Sequence, residues 1–169
     1  VAASRTISWS LIPLGAAIGG ANGLLDACDM VYCMKDTKFA FAEVKLGIAP
    51  ATISPYVCKR IGEFGARDLM ITGRRFLGNE AESVGLVNKS FETDEELNVQ
   101  MEFVHEMMIS SGPAAMGATK KLIYDIYNKY DFEDSIDHTA KLIAELRASE
   151  EGQEGMASFL EKRKPKWNV

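Results

Sequence analysis

The spacing of apolar residues differs between the two halves of the chain. Up to about residue 91, short apolar segments alternate with glycine-rich turns. Residues 30–34 form a continuous apolar run that predicts a buried strand, and residues 37–41 predict a second, half-buried strand. Residues 54–61 and 64–71 predict two short helices separated by Gly62. Strands that alternate with helices are typical of an α/β layer arrangement.

One more helix and one more strand complete this first half. Asn79 is placed to cap a helix that runs through Ser83. Residues 86–90 follow as a strand. We therefore assign residues 1–91 to an α/β core.

From Thr93 onward the apolar residues recur at helical spacing. Thr93 and Glu96 form a capping box at the start of the first helix. Pro113 opens a second helix, and residues 134–148 and 153–162 predict two more. We therefore assign residues 92–169 to a helical C-terminal region.

Charge and hydropathy narrow the classes of partner. The chain has 169 residues and a formal net charge of −5, which argues against nucleic acid because such proteins usually carry a broad basic face. The basic cluster in residues 161–166 is typical of a solvated helix end. Pro13 and several glycines interrupt the apolar stretch over residues 7–25, so we expect neither a signal peptide nor a membrane span.

The cysteines and histidines match no pattern for a metal or a disulfide framework. Cys28, Cys33 and Cys58 are odd in number, and their spacing fits no zinc or haem motif. We expect free, mostly buried thiols in a reducing compartment. His105 and His138 fall in predicted helices and receive no role. The sequence therefore predicts no metal site.

The most distinctive segment is the glycine-rich run over residues 15–29, GAAIGGANGLLDACD. Its glycines and alanines let a backbone approach another group closely. Leu24, Leu25 and Cys28 follow at helical spacing, so the glycines stand where a helix begins. A helix N-terminus presents unpaired amide N–H groups, which suit an anion or an oxyanion. Phosphate-loop and dinucleotide motifs are not matched, and a purely structural turn stays open as the alternative.

A single acid follows at a short distance along the chain. Glu43 closes the second predicted strand and enters an apolar loop. Carboxylates in apolar surroundings have raised pKa values and work as general acids or bases. The alternative is a surface glutamate paired with Lys45. The glycine turn and Glu43 together indicate a site more strongly than either does alone.

These segments resemble the signatures of the crotonase (enoyl-CoA hydratase/isomerase) superfamily. Residues 15–29 look like its glycine turn, which leads into a helix ending in Cys-Asp. Residues 39–50 are similar to its second signature, an acid followed by Lys-Leu-Gly and a proline. Further matches occur in the same order at residues 69–74, at Ala81 with residues 85–88, and at residues 154–163.

The resemblance implies a crotonase-like α/β fold, a spiral of ββα units with a C-terminal helical oligomerisation region. The segment ahead of the glycine turn is shorter than in the family, so the sequence resembles the later part of such a protein. The implied substrate is an acyl-CoA thioester, with no separate cofactor because coenzyme A is part of the substrate. A homotrimer or hexamer is implied, in the cytoplasm or alternatively in the mitochondrial matrix.

The resemblance also implies roles for individual residues. The N–H of Gly20 would form half of an oxyanion hole for the thioester carbonyl, and Glu43 would move protons at the acyl chain. Gly19 and Pro50 would contact the substrate beside Gly20. Lys162 would reach the phosphates of coenzyme A.

The position of Gly23 bears on the reaction, because two-carboxylate hydratases of this family carry their first glutamate there. A single acid suits an enoyl-CoA isomerase. Gly23 and residues 53–57 nevertheless resemble most the branch of methylglutaconyl-CoA hydratases, so we favour a hydratase. The alternatives are an isomerase with one catalytic glutamate and a truncated, non-catalytic remnant that only forms oligomers. Asp26, one turn further along the helix, suits a structural role better than that of a substitute acid.

Overall fold

The computed structural model describes residues 9–12 and 15–168, which divide into two compact units. The first unit extends to Met101, and the second begins at Glu102. The division of the sequence after residue 91 into two domains stays a prediction.

Two small sheets form the frame of the first unit. Their strands are β1 (Trp9–Ile12), β2 (Ala16–Ile18), β3 (Met30–Met34), β4 (Lys38–Ala40), β5 (Arg75–Leu77) and β6 (Lys89–Phe91). One sheet has the order β1-β3-β6, and all its described pairs are parallel. The other has the order β2-β4-β5, with β2 parallel and β5 antiparallel to β4. Parallel pairs need crossover connections, which the helices of this unit supply.

Seven α-helices and one 3-10 helix occur among the described residues. They are α1 (Gly20–Asp26), a 3-10 helix (Ala42–Leu46), α2 (Ser54–Thr72), α3 (Gly78–Ser83), α4 (Asp94–Ser110), α5 (Pro113–Asn128), α6 (Phe132–Ala148) and α7 (Glu150–Leu160). Gly62 interrupts α2 with φ 72° and ψ 170°, a conformation that only glycine adopts readily. The predicted pair of helices separated by Gly62 is therefore confirmed.

The core of the first unit is built on aromatic pairs between β4 and β5. Phe39 lies opposite Phe76 in the ladder, and their rings stack with centroids 5.6 Å apart. Phe41 contacts the same ring of Phe76 at 6.0 Å. Val57 and Leu69 of α2 are completely buried in the same cluster. This packing confirms the predicted α/β arrangement and fixes β4, the strand that precedes Glu43.

Two predicted elements of the first unit are wrong in their bounds. Asn79 does not cap α3, because the helix already begins at Gly78, whose N–H donates to the carbonyl of Lys35 at 2.9 Å. The strand expected at residues 86–90 is found at Lys89–Phe91 instead. Leu86 and the following residue turn back toward α3, where their N–H groups donate to the carbonyl of Ala81 at 2.8 and 3.3 Å.

The start of α4 confirms the capping interaction predicted for Thr93. The Thr93 hydroxyl accepts from the Glu96 N–H at 3.2 Å. The Glu96 carboxylate accepts from the N–H of Glu92 at 3.0 Å, one residue earlier than in a standard capping box. The next helix opens at Pro113 as predicted. Helices α6 and α7 begin two or three residues earlier than expected, with Asp131 and Ser149 as N-caps.

A buried carboxylate lies among basic groups in the second unit. Asp125 on α5 is 1% exposed and pairs with Lys121 and Lys129. Hydrogen bonds from these two lysines hold the pKa of Asp125 below its ordinary value. His138 of α6 lies 3.7 Å from the same carboxylate and packs on the ring of Tyr130. These contacts tie α5 to α6.

A forked ion pair lies at the end of α7. Arg163 donates to both carboxylate oxygens of Glu154, at 2.5 and 3.1 Å. This bond lowers the pKa of Glu154 to about 2. Because the folded-state pKa lies below the ordinary value of about 4.3, the stabilisation is present above that value and disappears as the pH falls toward about 2.

We therefore expect Arg163→Gln to lower the melting temperature most at neutral pH, with the difference from wild type shrinking below the ordinary carboxylate range. Thermal melts between pH 2 and 7 would measure this. Lys164→Gln removes the same charge one residue away and is the control. A loss in Arg163→Gln that does not change with pH would contradict this assignment.

Candidate functional site

The glycine turn connects the end of β2 to the start of α1. Gly19 has φ 57° and ψ −128°, outside the region favoured by other residues. Its N–H donates to the carbonyl of Ala40, the last residue of β4, at 2.9 Å. The turn is therefore fixed to the strand that leads into the Glu43 segment.

Gly20 is the first residue of α1, as the sequence predicted for this turn. Backbone N–H groups in the first turn of a helix have no acceptor within the helix. Gly20 is exposed, and apart from its two chain neighbours and the nearby backbone of α1, no heavy atom of the described residues lies within 4 Å of the position that its Cβ would occupy. The space that a side chain at position 20 would occupy is therefore open.

Glu43 lies in the 3-10 helix and not in the loop that we expected. Gly47 ends this helix in a left-handed conformation and donates its N–H to the carbonyl of Val44 at 3.2 Å. Gly73, at the end of α2, packs against this 3-10 helix. A Cβ on Gly73 would lie 2.7 Å from Cγ2 of Val44. The 3-10 helix that carries Glu43 is therefore fixed by the hydrogen bond of Gly47 and by the packing of Val44 against Gly73.

The carboxylate of Glu43 faces the glycine turn. Its Oε1 lies 3.3 Å from the position that a Cβ on Gly19 would occupy. Its Oε2 is buried and has no hydrogen-bond donor among the described residues. The ion pair with Lys45 that was the alternative does not appear among the described salt bridges. A buried carboxylate oxygen that has no donor among the described residues and lies next to a glycine turn is an arrangement suited to proton transfer.

The residues proposed from the sequence are brought together only in part. Gly19, Gly20 and Glu43 lie at one place, as described above. Pro50 is buried in the loop after the 3-10 helix, and its carbonyl accepts from Ser54 N–H at 3.1 Å. Lys162 belongs to the second unit, where it is exposed and has φ 54°. The functional roles of all five stay predictions.

The structure explains why glycine stands at position 23. A Cβ there would lie 2.5 Å from Cγ2 of Ile53, which is buried. The side chain of Ile53 therefore occupies the space into which a longer residue at position 23 would project. Nothing in the local pattern indicates this contact, because the two residues lie far apart in sequence. The side chain of Asp26 lies outside the described part of the structure.

The sequence did not predict a role for Arg60 near the glycine turn. Its guanidinium donates to the carbonyls of Leu25 and Cys28 at 3.3 and 3.0 Å. It also donates to Oδ1 of Asn88 at 3.2 Å. A cation at these carbonyls stabilises the end of α1. Arg60 of α2 thus helps to fix the helix that carries Gly20.

The three cysteines form no disulfide with one another, but they are not mostly buried as expected. Cys33 is buried, Cys28 is partly buried and Cys58 is exposed. Burial raises the pKa of Cys33 to about 12, so its thiol stays protonated and is a poor nucleophile. Among the described residues no cluster of metal-ligating side chains occurs. No described helix has the length and hydropathy that crossing a membrane requires.

The contact between Gly23 and Ile53 gives a stability prediction. We expect Gly23→Ala to lower the free energy of unfolding by about 1–3 kcal/mol, because the new methyl group overpacks this contact. Ile53→Ala removes Cγ2, so the double variant should lose less than the sum of the two single losses. Urea unfolding of the four proteins measures the coupling.

Gly20→Ala is the matched control for stability, because open space lies beside Gly20 and the new methyl group meets no atom. Losses that add within about 0.5 kcal/mol would show that the two residues are not coupled.

The chain is similar to known proteins in both sequence and structure. A peroxisomal Delta(3,5)-Delta(2,4)-dienoyl-CoA isomerase from Arabidopsis thaliana is 32% identical over 154 residues, which are 90% of this chain and 55% of that protein. The structure of Pseudomonas aeruginosa AtuE superposes with a TM-score of 0.93 at 34% identity, covering 99% of this chain and 64% of that one. An enoyl-CoA hydratase/isomerase from Marinobacter aquaeolei gives a TM-score of 0.93 at 31% identity, with coverage of 99% and 63%.

The chain thus spans less than two thirds of the length of these relatives. The model of the enoyl-CoA hydratase/isomerase family matches residues 12–169, which include the glycine turn, Glu43 and the whole helical region. The likeness in fold and the family match agree with the resemblance seen in the glycine turn and the Glu43 segment. The chain belongs to the enoyl-CoA hydratase/isomerase family.

Proposed function

We propose that the chain acts as an enoyl-CoA hydratase-type enzyme on an acyl-CoA thioester, through an oxyanion-stabilised enolate. The observation that carries this proposal is the position of the Glu43 carboxylate. One of its oxygens lies against Gly19, and the other is buried with no donor in the part of the chain that the structure describes, while Gly20 opens the first turn of α1. Family membership supports the class of substrate.

In this mechanism the Gly20 N–H donates to the oxygen of the thioester carbonyl. That oxygen gains negative charge when the enolate forms, so the hydrogen bond strengthens in the transition state. Losing one such donor typically costs about 2.7–4 kcal/mol of transition-state stabilisation. Gly19 and Pro50 would also contact the substrate.

Glu43 then carries the proton. For hydration, the carboxylate takes a proton from water while the water oxygen bonds to the β-carbon, and the resulting enolate regains the proton at the α-carbon. For isomerisation, the same carboxylate removes a proton from one carbon and returns it to another. Both the hydration and the isomerisation need only one acidic residue.

The choice between the two reactions rests on position 23. Ile53 fills the space beside Gly23, so this chain offers no room there for a second carboxylate. We favour hydration of a branched substrate of the methylglutaconyl-CoA type, because Gly23 and residues 53–57 resemble that branch of the family. The single acid keeps an isomerase as the first alternative, and one relative is named a dienoyl-CoA isomerase.

A second candidate is a non-catalytic protein that assembles through its helices. Large apolar side chains stand exposed on the second unit, among them Phe132, Phe159 and Leu160 at 82%, 82% and 79%. Exposed apolar surface of this kind marks sites of association. We propose that these side chains take part in a homotrimer or hexamer. An enzyme of this family could form the same oligomer, so the exposed side chains fit both candidate functions.

The proposal predicts the effect of changing Glu43. Glu43→Gln keeps the size of the side chain but removes the group that accepts the proton. Turnover of enoyl-CoA substrates should therefore fall about 10²–10⁴-fold, while the affinity for a non-reacting acyl-CoA stays near that of the wild type. Steady-state kinetics and calorimetric titration measure the two quantities.

Glu63→Gln is the control, because Glu63 is an exposed acid of α2 paired only with the exposed Arg67 among the described salt bridges. A Glu43→Gln protein that loses thioester binding and thermal stability together would count against a catalytic role. Unchanged turnover would exclude Glu43 as the proton carrier.

We also propose that the Lys162 ammonium contacts the phosphates of coenzyme A. Lys162→Ala should then weaken binding of an acyl-CoA about two- to fivefold, as expected for an exposed ion pair. It should not weaken binding of the same acyl group on pantetheine, which lacks those phosphates. Lys164→Ala is the control, and equal losses in both lysine variants would indicate a general effect of charge.

A further inference from the structure

Asn22 is the polar side chain most deeply buried at the glycine turn. It is 0% exposed, although it stands in the first turn of a short helix. Buried amides are normally bonded at both their nitrogen and their oxygen. The bonds of Asn22 therefore indicate what the residue does in the fold.

Its Nδ2 points at three backbone carbonyls from different segments. They belong to Ala40 at 3.0 Å, to Ala17 at 3.2 Å and to Gly19 at 3.2 Å. Ala17 lies in β2, Gly19 in the turn and Ala40 at the end of β4. An amide has two N–H hydrogens, so at least one of them is shared between carbonyls. Asn22 thus joins three pieces of backbone through one nitrogen.

The carbonyl of Ala40 receives two bonds from this turn. It accepts from the Gly19 N–H at 2.9 Å as well as from Asn22 Nδ2. Ala40 is followed directly by the segment that enters the 3-10 helix with Glu43. Asn22 therefore links the backbone that presents the Gly20 amide to the backbone that presents the Glu43 carboxylate.

The other end of the Asn22 side chain is not satisfied in the same way. Its Oδ1 is buried and has no donor among the described residues. Leaving a buried acceptor unpaired is unfavourable, which offsets part of the stabilisation from the bonds at Nδ2. An aspartate of the same shape would place an acceptor against three carbonyl oxygens and would supply no donor when ionised.

We propose that Asn22 is a positioning residue, which sets the distance between the Gly20 N–H and the Glu43 carboxylate by holding the glycine turn to the end of β4. This inference rests on the proposed function for its catalytic consequence. The structural part, the tie between the turn and Ala40, stands independently of it. Displacements of about 1 Å in a catalytic arrangement can cost about 10²-fold in rate.

The first test uses the unaltered protein and no substrate. The side-chain NH₂ protons of Asn22 and the backbone proton of Gly19 should exchange slowly with solvent in an NMR experiment, because all three are hydrogen-bonded. Asn22→Asp should speed the exchange at Gly19. It should leave the amide of Val31, which donates to Asn88 at 2.7 Å, unchanged.

The second test separates rate from binding. Asn22→Asp should lower kcat about 10²-fold while the Kd for a non-reacting acyl-CoA stays near that of the wild type. Asn22→Ala removes the amide without adding a charge, and it serves if the aspartate variant does not fold. Asn98→Asp, an exposed change of the same kind on α4, is the control.

Four outcomes overturn the proposal or part of it. Fast exchange of the Asn22 NH₂ protons in the wild type would show that the tie does not exist. Unchanged kcat in Asn22→Asp and Asn22→Ala, or equal losses of kcat and binding, would deny the positioning role. A wild-type protein that binds no thioester but protects these protons would contradict the proposed function and leave the structural tie confirmed.

Discussion

The carbonyl of Ala40 is the point on which the candidate site depends. It ends β4, accepts two hydrogen bonds from the glycine turn, and is followed directly by the segment that carries Glu43. The parallel pairing of β2 with β4 brings the ends of both strands to the same edge, with Ile18 opposite Ala40. A slip of one residue in this pairing would turn the buried Phe39 outward, so the aromatic core also fixes the register.

Helix α2 contacts both α1 and the 3-10 helix, the two elements that form the candidate site. Its N-cap, Ile53, packs on Gly23 of α1, and Arg60 in its first half holds the carbonyls at the end of α1. Its C-cap, Gly73, lies against Val44 in the 3-10 helix. One helix therefore contacts both the element that presents the Gly20 amide and the element that presents Glu43. Close approach of this kind is available only where glycine replaces a larger residue.

Much of this arrangement could be predicted from the sequence, and the reasons for the rest are physical. The glycine turn, the start of α1 and the buried strand β3 follow from local composition and periodicity. Strands β2 and β5 have three residues each, too few for an alternating pattern to be distinctive. The 3-10 helix around Glu43 gives no periodic signal at five residues.

The contacts that complete the site are long-range, and no local pattern encodes them. Asn22 reaches Ala40 across 18 positions of sequence, and Arg60 reaches Cys28 across 32. In the sequence Asn22 only interrupts an apolar run. Only in the folded chain does its nitrogen lie among three carbonyls. Polar residues within small-residue turns are therefore worth testing as internal ties.

The most direct test of the central claim is a calorimetric comparison of two coenzyme A derivatives. One is a non-reacting acyl-CoA thioester, and the other is the S-alkyl thioether of the same chain length, which lacks the carbonyl oxygen. If the Gly20 amide receives that oxygen, the thioester binds more tightly than the thioether, and free coenzyme A binds less tightly than the thioester. Equal affinity for thioester and thioether would mean that the turn does not receive a carbonyl, and the account of this site would be wrong.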